Sequence, residues 1–195
     1  MYSKVIKLYY QTPTAVTKYM MLFPCLNEVE NKNMFIVSRC CTSENKMKEF
    51  QYKILHRFLA INSLLVRMNK IESDKCTFCG IYKENISHLF YDCVYVKNLW
   101  LAIKNIIFCI TGKQIILNCK AILLGYDLES YKEAMYINTI ILNVKYFIWH
   151  SKSKYFMSPS LVGLRDWLSK RIQYDRSLET LYNVISMGSL NNDVS

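Results

Sequence analysis

Residues 76–93 read CTFCGIYKENISHLFYDC, so three cysteines and one of only three histidines in the chain fall within eighteen residues. The spacing is Cys76-x2-Cys79-x8-His88-x4-Cys93. A Cys-x2-Cys pair lets a tight turn aim two sulfurs at one point while the backbone N–H groups of the turn stabilise the thiolates. Gly80, directly after the pair, suits such a turn. Residues 84–91 can form a short helix presenting His88, and a residue five further on is rotated about 140° from it, which puts Cys93 at or past the helix end. Three thiolates and an imidazole at tetrahedral corners suit zinc, and a full set of four leaves no open position for a reactive water. The expected role is structural. The competing reading, buried small hydrophobes beside a core histidine, has to explain two short ligand pairs so close together, which random scatter seldom produces.

The rest of the chain has few residues that turn it sharply. Five glycines and three prolines in 195 residues are too few for a sandwich or barrel, which needs a turn every ~8 to 12 residues. With 52% hydrophobic and 21% charged residues a folded core is expected. The fold class is mainly α: a small helical domain with a zinc knuckle of three cysteines and one histidine. Along the chain this divides into an N-terminal helical and loop segment (1–45), a basic helix, zinc knuckle and following helix (46–111), a C-terminal helical segment (112–187) and a disordered tail (188–195).

Within the first segment we expect two short helices and a loop, with 34–41 a short strand or packed coil. Placed at about 100° per residue, Met47, Phe50, Ile54, Phe58 and Ile61 share one arc, and Lys46, Lys53, His56 and Arg57 another. Asn62 suits the cap of a second short helix carrying Leu64, Leu65 and Met68. Val96, Leu99, Trp100, Ile103, Ile106, Ile107 and Ile110 predict a helix over 94–111, ended by Gly112, with Lys97 and Lys104 beside Trp100. Ser130 and Glu133 offer a capping box for a long helix to about residue 154, stopped by Ser158-Pro159. Its two apolar stripes mean that it is sandwiched in the core or buried against a partner. A last helix carries Leu161, Leu164, Leu168 and Ile172 and extends to Ile185.

The longest stretch with few charges, 136–149, is broken by Lys145 and falls short of the ~20 residues of a bilayer span, so no membrane partner is expected. Lys4 and Lys7 interrupt the apolar start, which lacks the ~7 to 15 residue run of a signal peptide. We expect an intracellular protein, in the nucleus, the cytoplasm or both. In a reducing compartment eight cysteines are no disulfide framework, and Cys40, Cys41, Cys109 and Cys119 are expected to pack as small hydrophobes.

Lys and Arg outnumber Asp and Glu by 25 to 15, a net charge of +10 that favours a polyanionic partner, RNA and/or DNA. Lys46, Lys53, His56 and Arg57 form one candidate phosphate-facing stripe, and Lys70, Lys75, Lys83, Lys97 and Lys104 surround the cysteine segment. Tyr52, Phe78, Tyr82 and Tyr91 interleave as candidate stacking groups. The plainer alternative is solvated helix faces with aromatics in the core.

The stretch FQYKILHRFLAINSLLVRMNKIESDKCTFCGIYKENISHLFYDCVYVKNLW resembles the zinc-binding region at the C-terminal end of LINE-type, non-LTR retrotransposon reverse-transcriptase polyproteins. The likeness rests on the helix at 50–57, Asn62, the Cys76, Cys79, His88, Cys93 set, the HLF at 88–90 and Trp100, and runs more loosely over NTIILNVKYFIWHSKSKYFMSPSL. Ile61 departs from it, standing where that family usually has threonine. The resemblance implies a zinc ion, a role in holding element RNA or target DNA, and a polymerase body upstream as a possible partner. The chain has no Tyr/Phe-x-Asp-Asp segment and no cluster of carboxylates able to hold two metal ions, so neither polymerase nor nuclease activity is expected of it. Two alternatives stand beside nucleic-acid binding: a zinc-stapled scaffold for protein contacts, and a non-functional retroelement relic.

Overall fold

The helical periodicity is realised in a computed structural model, which describes residues 17, 19–24, 34–35, 40–126, 131–155, 157–173 and 175–190. Seven α-helices of six residues or more are found there: α1 (Asn45–Leu55), α2 (Asn62–Arg67), α3 (Val94–Thr111), α4 (Cys119–Leu124), α5 (Tyr131–His150), α6 (Leu161–Arg171) and α7 (Glu179–Leu190). A π-helical turn, His88–Asp92, precedes α3, another, Ser151–Tyr155, prolongs α5, and a 3-10 turn, Arg176–Leu178, leads into α7. Among the described residues strand pairing is limited to one isolated antiparallel bridge between Lys75 and Lys83.

The core is arranged around α5. Most of its apolar residues from Ile137 through Ile148 are buried within the chain itself, with α1 and α6 packed against it, while Met135, Tyr146 and Trp149 are half-buried. Helix α1 meets the knuckle side at Phe50, whose ring lies edge-on to Phe90 at 5.9 Å and to Tyr146 of α5 at 5.1 Å. Helix α3 packs against the π-turn and α7, and α4 against the π-turn and α1. By length and composition α3 is apolar enough to be compared with a membrane span, but Val96, Leu99, Trp100, Ile103, Ile106 and Ile107 are buried against neighbours. Its predicted end is where it was expected: Gly112 takes φ +70°, the left-handed value that closes a helix most easily at glycine.

Several expectations need correction. Helix α1 does not run on to Ile61. Arg57 adopts φ +57°, the Phe58 N–H reaches back to the Lys53 carbonyl (2.8 Å) and the Arg57 N–H to that of Ile54 (3.0 Å), which closes the helix in a Schellman arrangement. Phe58, which periodicity placed in the core, is therefore turned out and is 64% exposed. Asn62 is not the cap of α2. That position is Ile61, and the Asn62 side chain is engaged elsewhere. The last helix is two helices, because the Asp175 carboxylate accepts the Ser177 N–H and starts a new turn. Helix α7 then continues to Leu190, past the start of the expected tail. Cys41 is buried and Cys119 half-buried, as packing requires, but Cys40 and Cys109 are exposed.

At the N-terminus, Tyr19 is fully buried and its hydroxyl donates to the Ile54 carbonyl at 2.9 Å. Met34 and Phe35 are helical rather than extended. The apolar patch around Val5, the rest of 34–41 up to Arg39, and the Ser130 half of the expected capping box lie outside the described residues; Glu133 pairs with Lys113 at 2.7 Å.

Candidate metal centre

The loop before α3 folds back on itself through short-range hydrogen bonds. The Cys76 N–H donates to the Tyr82 carbonyl (2.8 Å), the Gly80 N–H to that of Cys76 (2.9 Å) and the Glu84 N–H to that of Asp74 (2.7 Å). Gly80, at φ +66°, turns the chain between the second cysteine and the segment that returns to the Lys75–Lys83 bridge. The Phe78 N–H points at the Cys76 sulfur at 3.4 Å, the N–H···S contact expected of a turn that stabilises a thiolate. On the other side, Asn85 accepts the His88 N–H (2.7 Å) and orients the π-turn. The wider coil of that turn closes the Cys93 N–H onto the His88 carbonyl (3.0 Å), so Cys93 comes back towards His88 and opens α3 as its N-cap.

One candidate ligand atom from each of Cys76, Cys79, His88 and Cys93 lies within 4.8 Å of the other three. Cys76 Sγ and Cys93 Sγ are 3.9 Å apart, and Cys79 Sγ lies 3.4 Å from His88 Nε2. A tetrahedral zinc ion with Zn–S near ~2.3 Å and Zn–N near ~2.0 Å requires edges of about 3.8 Å between sulfurs and about 3.5 Å between sulfur and nitrogen. The donor set and its spacing fit. The two buried sulfurs are electrically unequal. Cys93 is held below the ordinary thiol range, first by the hydrogen bond from Cys76 and then by the backbone N–H groups of Tyr95 and Val96 at the start of α3. Cys76, the donor, is pushed up by that same bond and by burial. A thiolate at a helix N-terminus is the form a metal takes.

Behind the ligands stands a polar network that sequence reading missed. Glu84 is fully buried, and its Oε1 accepts the Lys152 ammonium and the Asn62 N–H, at 2.7 and 2.8 Å. Its Oε2 accepts the N–H and hydroxyl of Thr77, each at 2.9 Å. Asn62 completes the set, accepting from Lys152 at 2.7 Å and donating to the Lys75 carbonyl at 2.7 Å. Lys152 sits on the π-helical extension of α5, so the long core helix is tied to the loop between Cys76 and Cys79. On the far side Trp100 is buried in α3 and donates to the Phe90 carbonyl at 2.7 Å, fixing α3 to the π-turn.

The predicted cationic residues do not form one surface. Lys46 and Lys53 line one cleft beside α1, Lys53 paired with Glu49 at 2.7 Å. Arg57 and Lys83 line another together with Arg67, and Lys83 pairs with Asp74 at 3.1 Å. His56 is half-buried between the rings of Tyr52 (4.1 Å) and Phe58 (6.5 Å), and Arg57 lies over Tyr19 at 5.3 Å. Lys75 is exposed on the bridge, Lys97 and Lys104 on α3, and Lys70 just after α2. Of the predicted stacking groups, Tyr52 and Tyr82 are exposed, while Phe78 and Tyr91 pack against the core.

A helical domain with a closed Cys3His group defines a protein built around structural zinc. Residues 15–100 match the family described as zinc-binding in reverse transcriptase, which bears out the resemblance at that level and supports zinc as the metal. The matched region is a zinc-binding one rather than a catalytic one. Neither the curated proteins nor the solved structures gave a match.

Proposed function

We propose that this chain is a non-catalytic nucleic-acid-binding module from a LINE-type reverse transcriptase, acting in the nucleus or cytoplasm to position element RNA or target DNA. Cys76, Cys79, His88 and Cys93 would hold the zinc, whose contribution is to fix the knuckle between α1–α2 and α3 without supplying an open coordination site. The observation that carries the reading is charge placement. Among the described residues Lys46, Lys75, Lys97 and Lys104 are exposed without a carboxylate partner, in a chain of net charge +10, Lys75 in the knuckle itself and the others on α1 and α3, which bracket it. Unpaired surface lysines are the groups that displace counterions from phosphates.

The scaffold alternative leaned on the two apolar stripes of α5, and most of those residues are buried inside the chain's own core, with Met135 and Trp149 half-buried. The test is titration of purified, zinc-loaded protein against RNA hairpin, single strand and duplex at two salt concentrations. Phosphate binding weakens steeply with salt, at close to one log unit of affinity per log unit of salt for each contact. Affinity indifferent to salt would remove nucleic acid from the reading.

A further inference from the structure

The outward turn of Phe58 assembles something that helical periodicity would have hidden. Tyr52, 54% exposed on α1, lies against His56, and the Phe58 ring is parallel to His56 within 7°. Of these three rings Phe58 also lines a cleft of about 270 Å³, together with Leu59, Ala60, Phe50, and Tyr146 and Trp149 of α5. Trp149 and Tyr146 are only partly buried, so their rings form wall as well as core. The rim carries Lys46, Lys53 and Glu49, two cations against one carboxylate. The cleft is smaller than the ~300–1,000 Å³ of a pocket for a whole small molecule, so it suits one flat ring system.

Leaving a phenylalanine mostly exposed forgoes burial that a folded chain ordinarily takes. Here the exposed ring stands at the mouth of an aromatic cleft with lysines beside it. That combination matches a flat aromatic group joined to negative charge. A nucleotide in a single strand has both, whereas a base inside a duplex keeps its faces covered by its neighbours.

We propose that the Phe58–Trp149 cleft is a subsite for one unpaired base of a single-stranded nucleic acid, with Lys46 and Lys53 on the flanking phosphates and Tyr52 and His56 continuing the stack. This rests on the nucleic-acid reading above and adds to it a strand state and a place. Glu49, already held by Lys53, is positioned to accept from an amino group on the base edge.

The test uses zinc-loaded full chain and compares Phe58→Ala, Phe58→Trp and Lys46→Ala/Lys53→Ala with the parent on single-stranded RNA, single-stranded DNA of the same sequence, and duplex. Phe58→Ala, at a position 64% exposed, is expected to weaken single-strand binding about 5- to 100-fold, leave duplex binding, the salt slope and the urea midpoint unchanged, and be rescued by Phe58→Trp. The double lysine variant is expected to lower the salt slope by up to about two units. Single-strand binding should quench tryptophan emission in the parent and not in Trp149→Phe. RNA and DNA strands bound alike assign the stack to the bases, and a preference for RNA adds a contact to the 2′-hydroxyl. Equal loss on duplex and single strand, or none on either, overturns the subsite while leaving the module's nucleic-acid binding intact. No binding of any nucleic acid by the parent overturns both.

Discussion

Two lysines on one continuous helical run, Lys145 and Lys152, are both buried, and they are treated oppositely. Lys152 meets a carboxylate, an amide and a hydroxyl, so its charge is balanced and its donors are used. Lys145, with no exposed surface, meets the neutral Gln51 carbonyl oxygen at 2.6 Å; Gln51 passes its own N–H to the Leu123 carbonyl at 2.9 Å. Burial, only weakly opposed by nearby Cys41, lowers the Lys145 pKa to about 7. At one position a partner 68 residues earlier supplies an opposite charge. At the other none is supplied, and burial disfavours the charge. The first is how the core helix is tied to the zinc knuckle, and the second joins α5, α1 and α4 through a hydrogen-bonded bridge that has no carboxylate in it.

The largest effect should come from the metal. Structural zinc contributes about 10–16 kcal/mol of binding free energy in isolated zinc-finger peptides, enough to decide whether the knuckle is ordered. Removing zinc with a chelator, or Cys79→Ser, is therefore expected to raise amide exchange in the knuckle and around Lys152 and to shift the Trp100 emission, while residues 137–148 around Lys145 remain protected. Cys109→Ser, at an exposed cysteine away from the cluster, should keep full zinc content. Uniform loss of protection along α5 would mean the two lysines belong to one cooperative unit and would erase the contrast.

Next in size is the carboxylate. Glu84→Gln removes the charge opposite Lys152 and disturbs the acceptors of the Thr77 and Asn62 N–H groups, and breaking a buried pair by one partner costs about 3–5 kcal/mol. Because Thr77 lies between two zinc ligands, affinity for zinc is expected to fall about 10- to 100-fold, as for loss of groups that orient metal ligands. Urea denaturation and a competitive zinc titration measure the two effects. Pairing Glu84→Gln with Lys152→Met should recover part of the loss. Additive losses would show that the two side chains act independently.

What was legible in the sequence follows the same division between local and distant causes. Helix α3 and its glycine stop depend on residues within a few turns, and the Cys3His spacing is contained in one loop, so both could be read directly. The closure of α1 could not, because Arg57 has no intrinsic preference for the left-handed region, and it was Phe58 and Ile61 that continued the apolar pattern. The Glu84–Lys152 pair was invisible for a different reason: lysine and glutamate at a distance of 68 residues are indistinguishable from solvated surface charges until the fold buries them. Asn62 has the sequence position of a cap and the structural role of a tertiary partner, since a short polar side chain beside a helix start serves as either with equal ease. The break between α6 and α7 depends on the single Asp175 turn, at which the apolar repeat after Ile172 is interrupted by Asp175 and Arg176.

Near neutral pH the smallest expected effect is that of Lys145, and its sign is the informative part. With a folded pKa near 7 against an ordinary value near 10.5, the unfolded chain holds a proton that the folded chain lacks between those two pH values. Stability from this group therefore rises with pH across that window, at up to about 1.4 kcal/mol per unit. Below pH 7 the ammonium is present in both states and the cost of burying it is felt in full. Lys145→Met removes both the proton and the buried amine, leaving the Gln51 oxygen without this donor, a loss of about 1–3 kcal/mol set against the gain from an apolar side chain of similar length. Near pH 8 the two nearly cancel, and the variant should lie within about 2 kcal/mol of the parent. Below pH 7 the variant should gain on the parent, and above pH 9 it should fall behind. Thiols and tyrosines titrate in the same range, so the measurement is the difference between parent and variant in urea denaturation from pH 6 to 10. A difference independent of pH would mean that Lys145 stays charged in the core, and that the contrast with Lys152 is one of partners and not of protonation.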